Sequence, residues 1–186
     1  FRKGYLWVVV GINTRMIYLL YDDGSRSEKV ILNELGGCKG IIQSDGYSPY
    51  RKLESDAYPH ITRIPCLQHI KRKFIDCGED EPDAKRIVEL INTLYQNEHK
   101  HKIGVDGWTV EQNLVHRKKY APDILGEIKD VLDDIEERGD LLPKSELKEA
   151  ITYLRNEWNA VVDIFNYGDT YLDNNIVERM NRYISL

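Results

Sequence analysis

The apolar positions of this chain change their period about a third of the way along, and that change predicts its organisation. In the first stretch they fall in short β-branched and aromatic runs. Residues 5–12 (YLWVVVGI) and 16–21 (MIYLLY) read as strands joined at Asn13-Thr14-Arg15, a hairpin, with Asp22-Asp23-Gly24 closing the second. Residues 27–35 carry Val30, Ile31 and Leu35 at helical spacing and stop at Gly36-Gly37, the residue type that ends helices in a left-handed turn. A third strand over 40–44 runs into Asp45-Gly46-Tyr47 and a short helix over 49–53. A strand over 61–65 and a helix over 66–76 complete an α/β pattern.

From 83 to 167 the spacing is helical alone. Ala84, Ile87, Val88, Ile91 and Leu94 mark one helix; Ile124, Ile128, Val131, Leu132 and Ile135 mark another, ended by Gly139. The longest stripe is Leu147, Ala150, Ile151, Leu154, Trp158, Val161, Val162 and Phe165, starting after Pro143 and Ser145, and it predicts a buried face. Residues 99–107 are polar and contain glycine, as a loop does.

Composition narrows the class. With 186 residues, 41% of them hydrophobic, the chain can bury a real core. No apolar run approaches the roughly 18 residues of a membrane span, so a membrane role is not expected. Three scattered cysteines, Cys38, Cys66 and Cys77, in a domain of ordinary size fit a reducing cytoplasm. The chain opens at Phe1 with neither an initiator Met nor a secretory signal, so a preceding segment is expected. A net charge of -5 argues against a generic nucleic-acid binder, but basic clusters stand at Lys71-Arg72-Lys73 and His116-Arg117-Lys118-Lys119. Each reads either as a solvated helix face or as a surface for DNA backbone.

Two carboxylates are candidates for chemistry. Asp45 stands at the C-terminal end of a strand, where open α/β sheets place ligands; Asp-Gly after a strand is also ordinary turn chemistry. Glu178 follows Asn175 by three residues at a helix start, the spacing of a capping box, and Arg182 lies four residues on, where it can pair along the helix. Cys66 and His69 have a Cys-x-x-His spacing but lack the partners of a four-ligand zinc site.

Together the segments Gln43-Ser44-Asp45-Gly46-Tyr47, Cys66-Leu67-Gln68-His69-Ile70-Lys71-Arg72-Lys73-Phe74, Leu142-Pro143-Lys144-Ser145, Trp158, and Asp173-Asn174-Asn175-Ile176-Val177-Glu178-Arg179 resemble the ordered motifs of the insertion sequence sixty-six family of transposases. The resemblance covers essentially the whole chain. It departs at Cys66-Leu67-Gln68-His69, where the family has Cys-Trp-Ala-His, and at Tyr183, where the family has proline.

The resemblance implies an α/β, ribonuclease H-like core and a triad of two Asp and one Glu, with the second Asp at Asp45 and the Glu at Glu178. The first Asp would lie on a strand upstream of Tyr5, so the first strand is missing and the fragment is expected to be inactive alone. The implied cofactors are two Mg²⁺ or Mn²⁺ ions, and the implied partners are transposon ends and target DNA, with a homo-oligomer on DNA, in the prokaryotic cytoplasm or nucleoid. Lys71, Arg72, Arg179 and Arg182 become expected DNA contacts, and Cys66 with His69 structural residues near the site. The expected parts are 1–78, the N-terminal portion of the core; 79–168, an all-helical insertion; and 169–186, the Glu-bearing helix returning to the core. Such an insertion accounts for the 133 positions between Asp45 and Glu178. Two other readings stand beside this one: an inactive ribonuclease H-like remnant that binds DNA or protein, and a helical interaction domain with an α/β cap.

Overall fold

β1 (Trp7–Gly11) and β2 (Met16–Leu20) form an antiparallel hairpin with Trp7 opposite Leu20 and Gly11 opposite Met16. The structure is a computed structural model, and it describes residues 4–184. α1 (Glu28–Leu35) starts where Ser27 Oγ accepts the Lys29 amide at 3.2 Å, and it buries Val30, Ile31 and Leu35. β3 (Gly40–Ser44), α2 (Ser48–Arg51), a 3₁₀ turn (Lys52–Glu54) and β4 (Ile61–Pro65) follow. The Gly40 amide donates to the His60 carbonyl at 2.9 Å, which sets the starts of β3 and β4 side by side, as in a strand–helix–strand crossover.

Two details differ from the sequence expectation. Gly36 ends α1 in a right-handed conformation, φ −61°. Its glycine is needed for space, because a Cβ there would lie 2.7 Å from the Tyr58 ring. β2, written in apolar residues, leaves Met16, Ile17, Tyr18 and Leu19 exposed, since it is the outer strand of a sheet with only one partner.

Packing divides the chain into two compact units, one holding residues up to 63 together with those from 174 onward, the other residues 64–173. The first is built on Trp7, Val30, Ile31, Leu35, Leu53 and Ile61. Among the described residues its strands form two separate two-stranded sheets, β1 with β2 and β3 with β4. The final helix of this unit, α7 (Asn175–Ile184), lies against β1.

The second unit is helical: α3 (Leu67–Ile75), α4 (Pro82–Glu98), α5 (Val110–Arg138) and α6 (Glu146–Ile164). α3 packs on α4 and α6, and α4 on α5. The division falls before α3 because Leu67, Ile70 and Phe74 are fully buried in the helical core with Ile87, Ile91 and Ile151. α5 opens with a capping box, Thr109 and Gln112 bonding each other's amides, and closes at Gly139 in the left-handed conformation, φ 67°.

The α6 stripe is rotated slightly from the expected one. Leu147, Ala150, Ile151, Leu154, Val161 and Phe165 are buried as read, but Val162 is exposed, Trp158 is half-buried at the edge, and Glu157 occupies the inner position instead. Leu154→Ala is therefore expected to cost about 2–5 kcal/mol. Trp158→Ala should cost less, because an indole half in water leaves a smaller cavity; urea denaturation of the two variants gives the order.

Candidate active site

Asp45 emerges directly from β3 and is half-buried. One of its carboxylate oxygens accepts the Tyr47 amide at 3.1 Å, the turn that Asp-Gly sequences favour. Its backbone carbonyl accepts from the Ser44 hydroxyl at 2.9 Å and from Arg63 Nη2 at 3.2 Å. Arg63 is a buried cation on β4. Its Nε donates to Ser44 Oγ at 3.0 Å and its Nη1 to Glu54 Oε1 at 2.5 Å, so one guanidinium locks the end of β3 to β4 and to the turn before it. Arg63→Ala would leave Glu54 and the Asp45 carbonyl without this donor; a loss of about 2–4 kcal/mol is expected in thermal unfolding, on the scale of a broken buried pair.

Aromatic rings stand beside Asp45. Trp7, Tyr47 and Tyr50 meet pairwise with centroids 6.1–6.3 Å apart. Trp7 Nε1 donates to the Ser25 carbonyl at 3.0 Å, and Arg26 lies 4.3 Å above the Tyr47 ring. Burial, followed by the negative charge of Asp45, pushes the Tyr50 hydroxyl up to about 12, so it stays protonated at any physiological pH.

Glu178 sits in the first turn of α7 and is half-buried. Asn175, the expected cap, is already the first helical residue; the Asn174 carbonyl takes the amides of Val177 at 2.9 Å and Glu178 at 3.3 Å, moving the helix start one residue earlier. α7 packs on β1, and Trp7 of β1 packs on the rings flanking Asp45. Asp45 and Glu178, at the two ends of a 133-residue separation, belong to one compact unit. Arg179 and Arg182 are exposed on α7.

Lys71, Arg72, Cys66 and His69 lie in the other unit, on α3 or at its start. Arg72 is exposed, Lys71 and His69 are half-buried, and Cys66 is buried at the N-cap. All three cysteines are free thiols. No group of three or more His, Cys, Asp and Glu among the described residues is placed to hold a metal ion. Asp45 and Glu178 are oxygen donors of the kind that suits Mg²⁺ or Mn²⁺ rather than a thiol-seeking metal.

Of the expected basic face over 117–119, Arg117 is a correction, while Lys118 and Lys119 are exposed. Arg117 is fully buried and donates to Glu98, to the carbonyls of Ile164, Tyr167 and Thr170, and to the Thr170 hydroxyl. It is the anchor of α5 against the chain after α6, and DNA cannot reach it. Asn113 Nδ2 extends the anchor to the Gly168 carbonyl at 2.8 Å. Gly168 packs so closely on Val110 that a Cβ would lie 2.1 Å from its carbonyl oxygen.

The family model for IS66 transposases matches residues 1–186. The chain belongs to the IS66 family of transposases. It is 28% identical over 169 residues to an uncharacterized protein, y4jD, of Sinorhizobium fredii, covering 87% of this chain and 32% of that protein. A second uncharacterized protein of the same organism, y4qI, is 26% identical over 195 residues, covering 97% and 35%. The IS66-family chain therefore spans about a third of the length of the curated relatives it matches. No solved structure matches it. No described helix is long and apolar enough to cross a membrane.

Proposed function

We propose that this chain is part of the catalytic core of a DDE transposase, a ribonuclease H-like fold in which Asp45 and Glu178 are two of three carboxylates that hold two divalent cations. The observation that carries the reading is that Asp45 and Glu178 share one compact unit although an entire helical unit intervenes in the sequence. That arrangement is what an insertion between the second and third carboxylates of a triad requires. Two Mg²⁺ or Mn²⁺ ions, when bound, activate the attacking oxygen and stabilise the leaving oxygen of a phosphodiester. The chain's own part is to hold two carboxylates at fixed separation: Asp45 through the Arg63 lock and the Tyr47 amide, Glu178 through α7 on β1.

The third carboxylate, in this reading, comes from a strand upstream that pairs between β1 and β3. Its support is the pair of unjoined sheets, each with a strand bonded on one side only among the described residues. Such edges are costly if buried and sticky if open. The substrates proposed are transposon ends and target DNA in the cytoplasm. Exposed Arg72, Arg179 and Arg182 are proposed as phosphate contacts, together with half-buried Lys71, and Cys66 with His69 as structural.

The test compares the 186-residue chain with one extended upstream through the expected Asp-bearing strand, assayed for Mg²⁺- or Mn²⁺-dependent nicking and joining of transposon-end DNA. Activity confined to the extended chain is the expected result. Equal activity in both refutes the triad, and inactivity of the extended chain with DNA binding intact favours the remnant reading.

A further inference from the structure

The loop between α4 and α5 is fastened to α5 by rings. His101 stacks on Trp108 with centroids 3.9 Å apart and planes 16° from parallel, and stands edge-on to His116 at 5.3 Å. His116 in turn meets Tyr120 at 4.9 Å. A ring nitrogen of His116 lies 3.1 Å from the Asn97 carbonyl, and Lys100 Nζ donates to Asn97 Oδ1 at 2.8 Å, so the Lys100 ammonium and the His116 ring share one neighbour. Trp108, Val115, His116 and Lys119 line a shallow groove of about 310 Å³ that also holds Gln112 and Glu111. Lys102 follows His101 directly.

Charge decides what this surface fits. Lys100, Lys102 and Lys119 are exposed, and none of them is ion-paired with a carboxylate among the described residues. The nearby acid Glu98 is already neutralised by Arg117, and Glu111 in the groove, Asp106 in the loop and Asp123 one turn beyond Lys119 on α5 are carboxylates set against the lysines. A positive surface on a chain of net charge -5 is a local arrangement, not a consequence of composition. The rings fasten the loop that carries Lys100 and Lys102 to the helix that carries Lys119, which spares DNA binding part of the entropy of ordering that loop.

We propose that this surface of the helical unit binds the phosphate backbone of duplex DNA, with Lys100, Lys102 and Lys119 each meeting a phosphate and the His101–Trp108–His116 stack as their rigid support. The inference rests on membership of a transposase family and is independent of the chemistry at Asp45 and Glu178.

The experiment uses the intact protein and a labelled duplex of arbitrary sequence in EDTA, so that no metal-dependent step contributes. Replacing all three lysines (Lys100→Gln, Lys102→Gln, Lys119→Gln) should weaken binding at least about tenfold near 0.1 M salt and reduce the slope of log K against log salt by roughly 2 to 3, since each lost phosphate contact removes about 0.9. Lysine acylation read by mass spectrometry should show the three lysines of the unsubstituted protein protected by DNA and Lys85, at the other end of α4, unaffected. An unchanged slope, equal reactivity with and without DNA, or protection by polyglutamate but not by DNA overturns the proposal. Lys85→Gln should bind this duplex as the unsubstituted protein does, and the EDTA excludes any metal-dependent contribution from Asp45 and Glu178. Failure of the catalytic reading therefore leaves this result standing, and the reverse also holds.

Discussion

Asp45→Asn and Glu178→Gln, each made in the extended chain, are expected to reduce metal-dependent nicking and joining by at least about 10²–10³-fold, the scale on which removing one stabilising group from a reacting centre acts. Each substitution is nearly isosteric and removes a charge. An asparagine in place of Asp45 keeps a side-chain oxygen for the Tyr47 amide, so the turn after β3 survives. Glu178 enters helix α7 through backbone bonds to Asn174 that a glutamine does not disturb. Unfolding temperature should therefore hold while activity falls, and the two substitutions combined should lose little more than either alone, as residues acting as one unit do. Loss of stability in parallel with activity would instead assign the two carboxylates to caps and turns.

The second large effect lies at Arg117. It is fully buried, and its charge is met by Glu98 and by three backbone carbonyls. Arg117→Ala strands Glu98 in a half-buried place together with those carbonyls, and should destabilise the helical unit by about 3–5 kcal/mol, the cost of breaking a buried pair from one side. Arg117→Met combined with Glu98→Gln should recover part of that loss, because no buried charge is then left unpaired. Acid probes the same pair. Burial raises the Glu98 carboxyl, but the hydrogen bonds and charge of Arg117 outweigh burial and hold it below the usual carboxylate value. A carboxyl depressed on folding contributes stability above its unfolded value, near about 4.3, and that contribution is lost as pH falls through the lower folded value. Unfolding temperature should drop over that acid range, and Glu98→Gln should flatten the drop.

Arg117 also explains where the sequence is hard to read. The inner positions of α5 run Asn113, Arg117, Ala121, Ile124, Ile128, Leu132 and Ile135, so the first two turns of its buried face carry an amide and a cation instead of apolar side chains. Read by hydropathy, the helix starts near Ile124, and the part of the 29-residue helix Val110–Arg138 that precedes it, Pro122 included, escapes notice. Glu157 does the same on α6, where the indole of Trp158 draws the stripe toward itself. The strands were legible because β-branched runs bounded by Asn-Thr-Arg, Gly and Pro leave little choice of period, as at β1, β3 and β4. Asp45 was legible as a candidate from its place after β3, and Glu178 from its helix start. Arg63 was missed, since a lone arginine in a strand reads as surface until its burial is seen.

The measurement that bears most directly on the central claim is a crystal structure of the extended chain soaked in Mn²⁺, with the ions located by anomalous scattering. The account predicts metal within about 2–2.3 Å of oxygens from both Asp45 and Glu178, and the two carboxylates on the order of 4–8 Å apart. Mn²⁺ bound elsewhere, with Asp45 and Glu178 ordered and more than about 15 Å apart, well beyond the span of a two-metal site, would contradict it.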